Sequence, residues 1–224
     1  MIFYHMDKLK SLTRFRESLV RQRSRHLVEV TNVLNKIIPE FKPFFKYRFS
    51  ATALYIFSNY TTPEKIANMN ARSYEIIRKL SRGKFSISVF VQLKTLAKNT
   101  VGQSDDYLLH EIEVLLEIHT QLDAKIQEIE EQVITCIRGI NPPMLSIPGI
   151  GALSAAIILS EYGDLSKYDS PAKLLSFAGL EPGYFQSGQS EHFGRMVKHG
   201  SSHLRYALMN CCLSLTSNEP AFAE

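Results

Sequence analysis

Residues 106–138 hold the most regular hydrophobic pattern in the chain. Leu108, Ile112, Leu115, His119, Leu122, Ile126, Ile129, Val133 and Cys136 recur in unbroken steps of four and three. That spacing predicts a coiled-coil helix of about four heptads. Its one polar member, His119, reads as a register device rather than a ligand. Residues 7–38 carry a weaker version of the pattern. Leu9, Leu12, Leu19, Val30, Val33 and Ile37 keep the same steps if Arg16, Arg23 and His26 fill the remaining seam positions, and Pro39 ends the run. The two helices are expected to pair antiparallel within the chain. Pairing with a second copy is the competing arrangement, and a homo-oligomer through the coiled coil is expected.

Residues 41–104 break the pattern. An aromatic-rich start, FKPFFKYRF, is followed by short helical pieces. Thr62 and Pro63 read as an N-cap with proline at the first helical position, and residues 81–86, SRGKFS, read as a turn. The alternating basic and aromatic residues of 41–49 could stack on bases or hold phosphates. A plug of apolar side chains closing the hairpin is the plainer reading. A boundary follows at 138–143, RGINPP. Beyond it, an apolar helix starts at Ala152 and ends near Gly163. Another runs from Ser170-Pro171 to Gly179, and a last one begins near Ser201. The expected fold is all-α: a coiled-coil hairpin over 1–140 with its insert at about 41–104, then a small helical domain over 141–224.

Charge is distributed unevenly. Net charge is only +4, yet residues 8–25 hold seven Lys/Arg against Glu17, and residues 105–131 hold nine acids against Lys125. The basic helix could reach an external anion or simply face solvent. If it pairs with the acidic helix, less of its charge is free for nucleic acid. The three cysteines, Cys136, Cys211 and Cys212, have neither zinc-site nor disulfide-framework spacing, so no metal site is expected and a reducing cytoplasm is the default. No apolar run approaches the ~20 residues of a membrane span. The start, MIFYHMDK, lacks a signal-peptide core.

Two stretches carry candidate chemistry. In IPGIG (147–151), Gly149 and Gly151 let the backbone turn tightly and approach another chain closely. The helix that follows offers free N–H groups at its N-terminus, a natural phosphate site. This is the pattern of a helix-hairpin-helix, a binder of DNA backbones. The second stretch, YFQSGQSEHFGRMVKHGSSHLR (184–205), is polar and reads as a loop. It offers several serines and histidines and the cations Arg195, Lys198 and Arg205. A serine beside a glycine can be presented to a phosphate without crowding, the cations could neutralise its oxygens, and His192, His199 or His203 could accept a proton. Ser201 and Ser202 look like helix caps instead. A solvated polar loop is the competing reading.

Together these stretches resemble the C-terminal domain of bacterial insertion-sequence transposases of the IS-one-ten and IS-one-sixteen type, the DEDD transposases, some guided by a bridge RNA. The resemblance runs over about 144–215. It comprises IPGIG, a tyrosine-containing helix start, AGLEP, SG, GRMVKHG and LRYAL, in that order. It implies DNA as partner, with a guide RNA in some members. It also implies a serine nucleophile that joins covalently to DNA, at the position of Ser187 beside Gly188, with Ser190 as the fallback. Gly149, Gly151, Gly188, Arg195, Lys198 and Arg205 then become nucleic-acid-binding candidates. The family pattern does not require the histidines.

The family's RuvC-like domain, whose acids hold magnesium, has no counterpart in this sequence. The chain is therefore expected to be a fragment or truncated reading frame with no cofactor of its own, inactive alone. A non-catalytic helix-hairpin-helix module for DNA binding and oligomerisation is the alternative function.

Overall fold

The computed structural model describes residues 2–45, 49–187 and 190–218; the side chains of 2–5, 184–187, 190–193 and 218 stay outside the description. The elements in order are α1 (Ile2–Ile37), α2 (Phe41–Phe44), α3 (Ala51–Asn59), α4 (Pro63–Ala67), α5 (Ala71–Leu80), α6 (Ile87–Lys98), α7 (Asp106–Ile140), α8 (Ala152–Tyr162), α9 (Pro171–Ala178), β1 (Pro182–Ser187), β2 (Ser190–Met196) and α10 (Ser202–Asn218). The fold is all-α apart from the small sheet of β1 and β2. The chain groups into two compact units, Met1–Leu19 with Ile126–Glu224, and Val20–Lys125.

Local sequence sets most of the helix ends. Ser50, Thr62, Asn70 and Ser86 cap α3, α4, α5 and α6, each side-chain oxygen accepting a backbone N–H, and Pro63 occupies the first turn of α4. Asp105 Oδ1 accepts from Leu108 N at 2.8 Å and starts α7. Ser170 caps α9, and Gly179 ends it in the left-handed conformation at φ 68°, where a side chain would be strained.

In the unit of residues 20–125, α1 and α7 run antiparallel. Arg23 Nη1 donates to Asp123 Oδ1 at 2.5 Å, and His26 Nε2 donates to the Leu115 carbonyl at 2.6 Å. The core joins Val30, Leu34, Ile37, Ile112 and Leu116 to the short helices. Phe41 and Phe57 are fully buried and meet edge to face at 5.1 Å. Each such side chain contributes roughly 2–3 kcal/mol by leaving water. Phe41 and Phe45 thus plug the hairpin, as the plainer reading of that segment has it. At the return crossing, Gly102 lies so close to α1 that a Cβ there would stand 2.1 Å from the Ile37 carbonyl oxygen.

His119 is 4% exposed in this unit. Its Nε2 lies 3.3 Å from Asp123 Oδ2, and among the described residues neither ring nitrogen finds a partner with hydrogen-bond geometry. Burial holds its pKa below the ordinary 6.5, against the pull of Asp123 and with the help of Arg23 and His26. The unfolded chain therefore binds this proton more readily than the folded one, and this contribution to stability falls as pH drops below about 6.5. His119→Leu is expected to gain about 1 kcal/mol at pH 7 and more at pH 5.5, because it removes an unsatisfied polar group from a well-packed seam. Urea melts at the two pH values check both the gain and its pH dependence.

In the unit of residues 1–19 and 126–224, Met6 and Leu9 of α1 join Ile129, Val133 and Ile137 of α7 and Ala155 and Ala156 of α8 in one core. A second cluster holds Ile158, Ala178, Leu204, Ala207 and Cys211. Arg16 Nε donates to Glu130 Oε1 on α7 at 2.8 Å. The stretch after α9 departs from the expected loop. Strands β1 and β2 pair antiparallel, with Tyr184 opposite Phe193, Phe185 opposite His192 and Ser187 opposite Ser190.

Candidate nucleic-acid interface and serine hairpin

The turn before α8 is built around Gly149. Its φ is 86°, and a Cβ there would stand 3.1 Å from Leu215 N and Ser214 Oγ of α10. Gly149 thus lets the turn lie against the far part of α10. Gly151 precedes α8 in extended conformation without a side-chain cap, and a Cβ there would meet nothing within 4 Å. The first N–H groups of α8 therefore have no capping side chain, which is the condition for anion binding at a helix start.

A second node joins the motif segments that lie between residues 178 and 205. Gly179 and Gly200 cross backbone to backbone. A Cβ on Gly200 would stand 1.9 Å from the Phe177 carbonyl oxygen, and one on Gly179 would stand 2.7 Å from Gly200 N. Val197 N donates to the Glu181 carbonyl at 3.1 Å, and Lys198 N donates to that of Gly179 at 3.2 Å. Arg205 Nη1 donates to the Ala178 carbonyl at 3.0 Å, satisfying the end of α9. The base of the β-hairpin is thereby fastened to the helical core.

The candidate residues are distributed around this node. Ser187 is the last residue of β1, at the end of the ladder; its side chain and that of Ser190 are outside the described set. Gly188 lies outside the described residues. Arg195 and Lys198 are exposed, and Lys198 takes a left-handed φ of 58°. Arg205 is only partly exposed and already bonded. The histidines go different ways. His199 is exposed, His203 pairs through Nδ1 with Glu17 of α1, and the His192 side chain is outside the description. Ser201 is a cap, accepting from Leu204 N at 3.3 Å.

One residue escaped the sequence reading altogether. Glu161, near the end of α8, is 3% exposed. Arg14 Nε and Nη2 donate to its two carboxylate oxygens at 2.7 and 3.0 Å, Ser201 Oγ donates at 2.9 Å, and Lys10 Nζ lies 3.5 Å away. Burial pushes its pKa up. Hydrogen bonds from Arg14 and Ser201 and the charges of Lys10 and Arg14 outweigh that and hold it below the usual carboxylate range. The available signal was a single acid closing the apolar run ALSAAIILSE. Its partner lies 147 positions away, so no local pattern connects them. The basic face of α1 therefore spends Arg14 and Arg16 on the protein's own carboxylates.

Among the described residues, no group of three or more His, Cys, Asp or Glu is placed to hold a metal ion. Among them, no helix is long and apolar enough to cross a membrane.

Comparison with known proteins adds to this geometry. The family described as Transposase IS116/IS110/IS902 family matches residues 142–224. A pilin gene-inverting protein of Moraxella bovis is 36% identical over 110 residues, covering 47% of this chain and 33% of its own. The insertion element IS110 uncharacterized 43.6 kDa protein of Streptomyces coelicolor is 30% identical over 110 residues, covering 48% and 26%. The transposase for insertion sequence element IS1328 of Yersinia enterocolitica is 27% identical over 127 residues, covering 56% and 37%. The chain thus spans between a quarter and two fifths of the length of these relatives. Both glycine nodes, the strands β1 and β2 and Arg205 fall inside residues 142–224, the part of the chain that matches the Transposase IS116/IS110/IS902 family.

Proposed function

We propose that this chain is the DNA-engaging part of a transposase and that Ser187 is its nucleophile. The observation that carries the reading is the placement of Ser187 at the end of a hairpin whose base is fastened by the Gly179–Gly200 crossing. A strand ladder anchored at one end holds its far end in position for a backbone phosphate, while exposed Arg195 and Lys198, at the anchored end, are placed for other phosphates of the strand than the one at Ser187. In the step itself the serine oxygen forms a bond to phosphorus and one phosphorus–deoxyribose oxygen bond breaks. The hydroxyl proton passes to a base, and the leaving oxygen takes up a proton. The reverse reaction with another strand's hydroxyl joins DNA again, so no energy source is needed.

The resemblance places metal-held acids in a separate RuvC-like domain. Alone, this chain binds DNA without cutting it, and magnesium and a guide RNA belong to the complete machinery. The free N–H groups at the start of α8, beside Gly149 and Gly151, take a phosphate of the duplex. The α1–α7 seam is filled by the chain's own side chains, so self-association uses the outer faces of these helices.

A second reading has an observation of its own. Arg205, Ser201 and His203 are all engaged within the protein, which suits a non-catalytic DNA-binding module equally well. Reconstitution separates the two. With the acidic domain of a relative supplied, the chain is expected to form covalent protein–DNA adducts, and Ser187→Ala is expected to abolish them while leaving salt-dependent duplex binding intact. Adducts that persist in the variant would overturn the serine assignment. Duplex binding that ignores salt would overturn both readings.

A further inference from the structure

The cations of α1 and those of the α5–α6 connection differ in how they are used. Arg14, Arg16 and Arg23 of α1 each bond a carboxylate. Arg78, Lys79, Arg82 and Lys84 are all exposed, and among the described residues none of them forms an ion pair. Residues 71–86 carry five Lys/Arg against the single acid Glu75, so this one helix and turn hold a charge as large as the whole chain's net +4.

The turn has two hollows beside it. A shallow concavity of about 400 Å³ is lined by Glu75, Arg78, Lys79, Arg82 and Gly83. A second cleft of about 370 Å³ is lined mainly by apolar side chains, among them Phe44, Phe45, Leu80 and Phe85, with Lys84 at its wall. Leu80 is 42% exposed there, so an apolar surface opens to water next to four free cations. Ser81 also lines the cleft, but its hydroxyl already donates to the Arg78 carbonyl and accepts from Phe85 N. That hydroxyl has no proton left to donate to a ligand. The tip itself is held by a non-glycine residue in the left-handed region, Arg82 at φ 54°, followed by Gly83 at 79°. Glycine at position 82 would relax this backbone, so the arginine is kept at a conformational cost.

We infer that the α5–α6 turn is a docking surface for single-stranded nucleic acid, whose phosphates meet Arg78, Lys79, Arg82 and Lys84 while an unpaired base enters the apolar cleft. Charge complementarity selects the partner. A strand of phosphates at regular spacing suits a row of unpaired cations, and a flat apolar base suits a cleft lined by phenylalanine. Apolar side chains make up most of the lining, so the cleft stacks any base and binding is indifferent to sequence. The surface lies outside residues 142–224, in a part of the chain that the family match does not cover. The inference rests on the reading of the chain as a handler of nucleic acid.

The test uses the full chain and a labelled oligothymidylate of ~20 nucleotides, long enough to cover one site. Fluorescence anisotropy is read against salt, beside a duplex of equal length and polyglutamate of equal charge. Replacing Arg78, Lys79, Arg82 and Lys84 by alanine is expected to weaken single-strand binding roughly 30- to 100-fold and to reduce the salt slope by about 2 to 3. Arg25→Ala with Lys36→Ala, both exposed on α1, is expected to change the slope far less. Leu80→Glu is expected to lower the preference for single strand over duplex about tenfold. Arg82→Gly separates binding from folding: its melting temperature is expected to rise while binding weakens.

An unchanged slope in the fourfold variant overturns this assignment alone, provided the parent chain binds DNA. If the parent binds no oligonucleotide of either kind, the DNA-handling reading falls with it. Equal competition by polyglutamate, indicating an acidic-protein site, also overturns it.

Discussion

Gly200→Ala is expected to undo the docking of the β-hairpin and to lower the stability of its unit by about 4 kcal/mol or more. The added methyl would stand 1.9 Å from the Phe177 carbonyl oxygen and 2.6 Å from the Ala178 carbonyl carbon. Both are backbone atoms at the end of α9, so no rotamer change relieves the contact. The chain would have to separate residues 199–201 from α9. That would break the bond of Lys198 N to the Gly179 carbonyl and endanger that of Arg205 to Ala178. A loss above ~4 kcal/mol is rare for one methyl and signals a backbone crossing. Thermal melting should show a drop of the order of 10 °C, with faster hydrogen exchange at Val197 and Lys198. Gly139→Ala serves as the control. Gly139 lies in α7 with open space where its Cβ would go, and alanine there should add up to about 0.5 kcal/mol through helix propensity. Equal stability of the two variants would exclude a tight crossing.

Arg14→Ala is expected to cost more than Glu161→Gln, although both break the same pair. Removing the arginine leaves a buried carboxylate with only Ser201 and the more distant Lys10, a loss of about 3 kcal/mol. Removing the carboxylate charge leaves a guanidinium with 47% of its side chain exposed, which water can solvate at a cost nearer ~1 kcal/mol. Because the folded pKa of Glu161 is depressed, its contribution is present above the unfolded carboxylate value and lost as pH falls through the folded one. In Arg14→Ala the same burial acts without its strongest partner, so the carboxylate takes up a proton at higher pH than in the parent. The gap between the two proteins should therefore narrow as pH falls from 7 toward 4. Denaturant melts across that range provide the check, and a gap independent of pH would mean that Glu161 is not the group responsible.

Helix boundaries were readable because they depend on neighbours in sequence. Thr62-Pro63, Ser170-Pro171, Pro39 and Gly179 each act on the turn they belong to, and the helices start or stop there. The seam of α7 was readable for the same reason, though Leu116 and Ile137 are buried more deeply than their neighbours Leu115 and Cys136. Arg16, Arg23 and His26 each find a bonding partner on α7.

The hairpin of β1 and β2 was not readable as strands. Its polar composition suits a loop, and only Tyr184, Phe185 and Phe193 hint at a ladder. Its anchor comes from Gly179 and Gly200, which read locally as a helix end and a loop glycine. That they meet each other is a tertiary fact. Glu161 and its partners were invisible on the same ground, since nothing near Glu161 in sequence announces Arg14.

The ties of α1 to the C-terminal domain bear on how this protein could be recombined by hand. Arg14, Lys10 and Glu17 reach Glu161 and His203, and Met6 and Leu9 share a core with Ala155 and Ala156. A transplanted segment starting at residue 142 would carry a buried acid and half a core without their counterparts. In chimeras between relatives, the first nineteen residues and the stretch from residue 126 onward should therefore be exchanged as a pair, even though about a hundred residues lie between them.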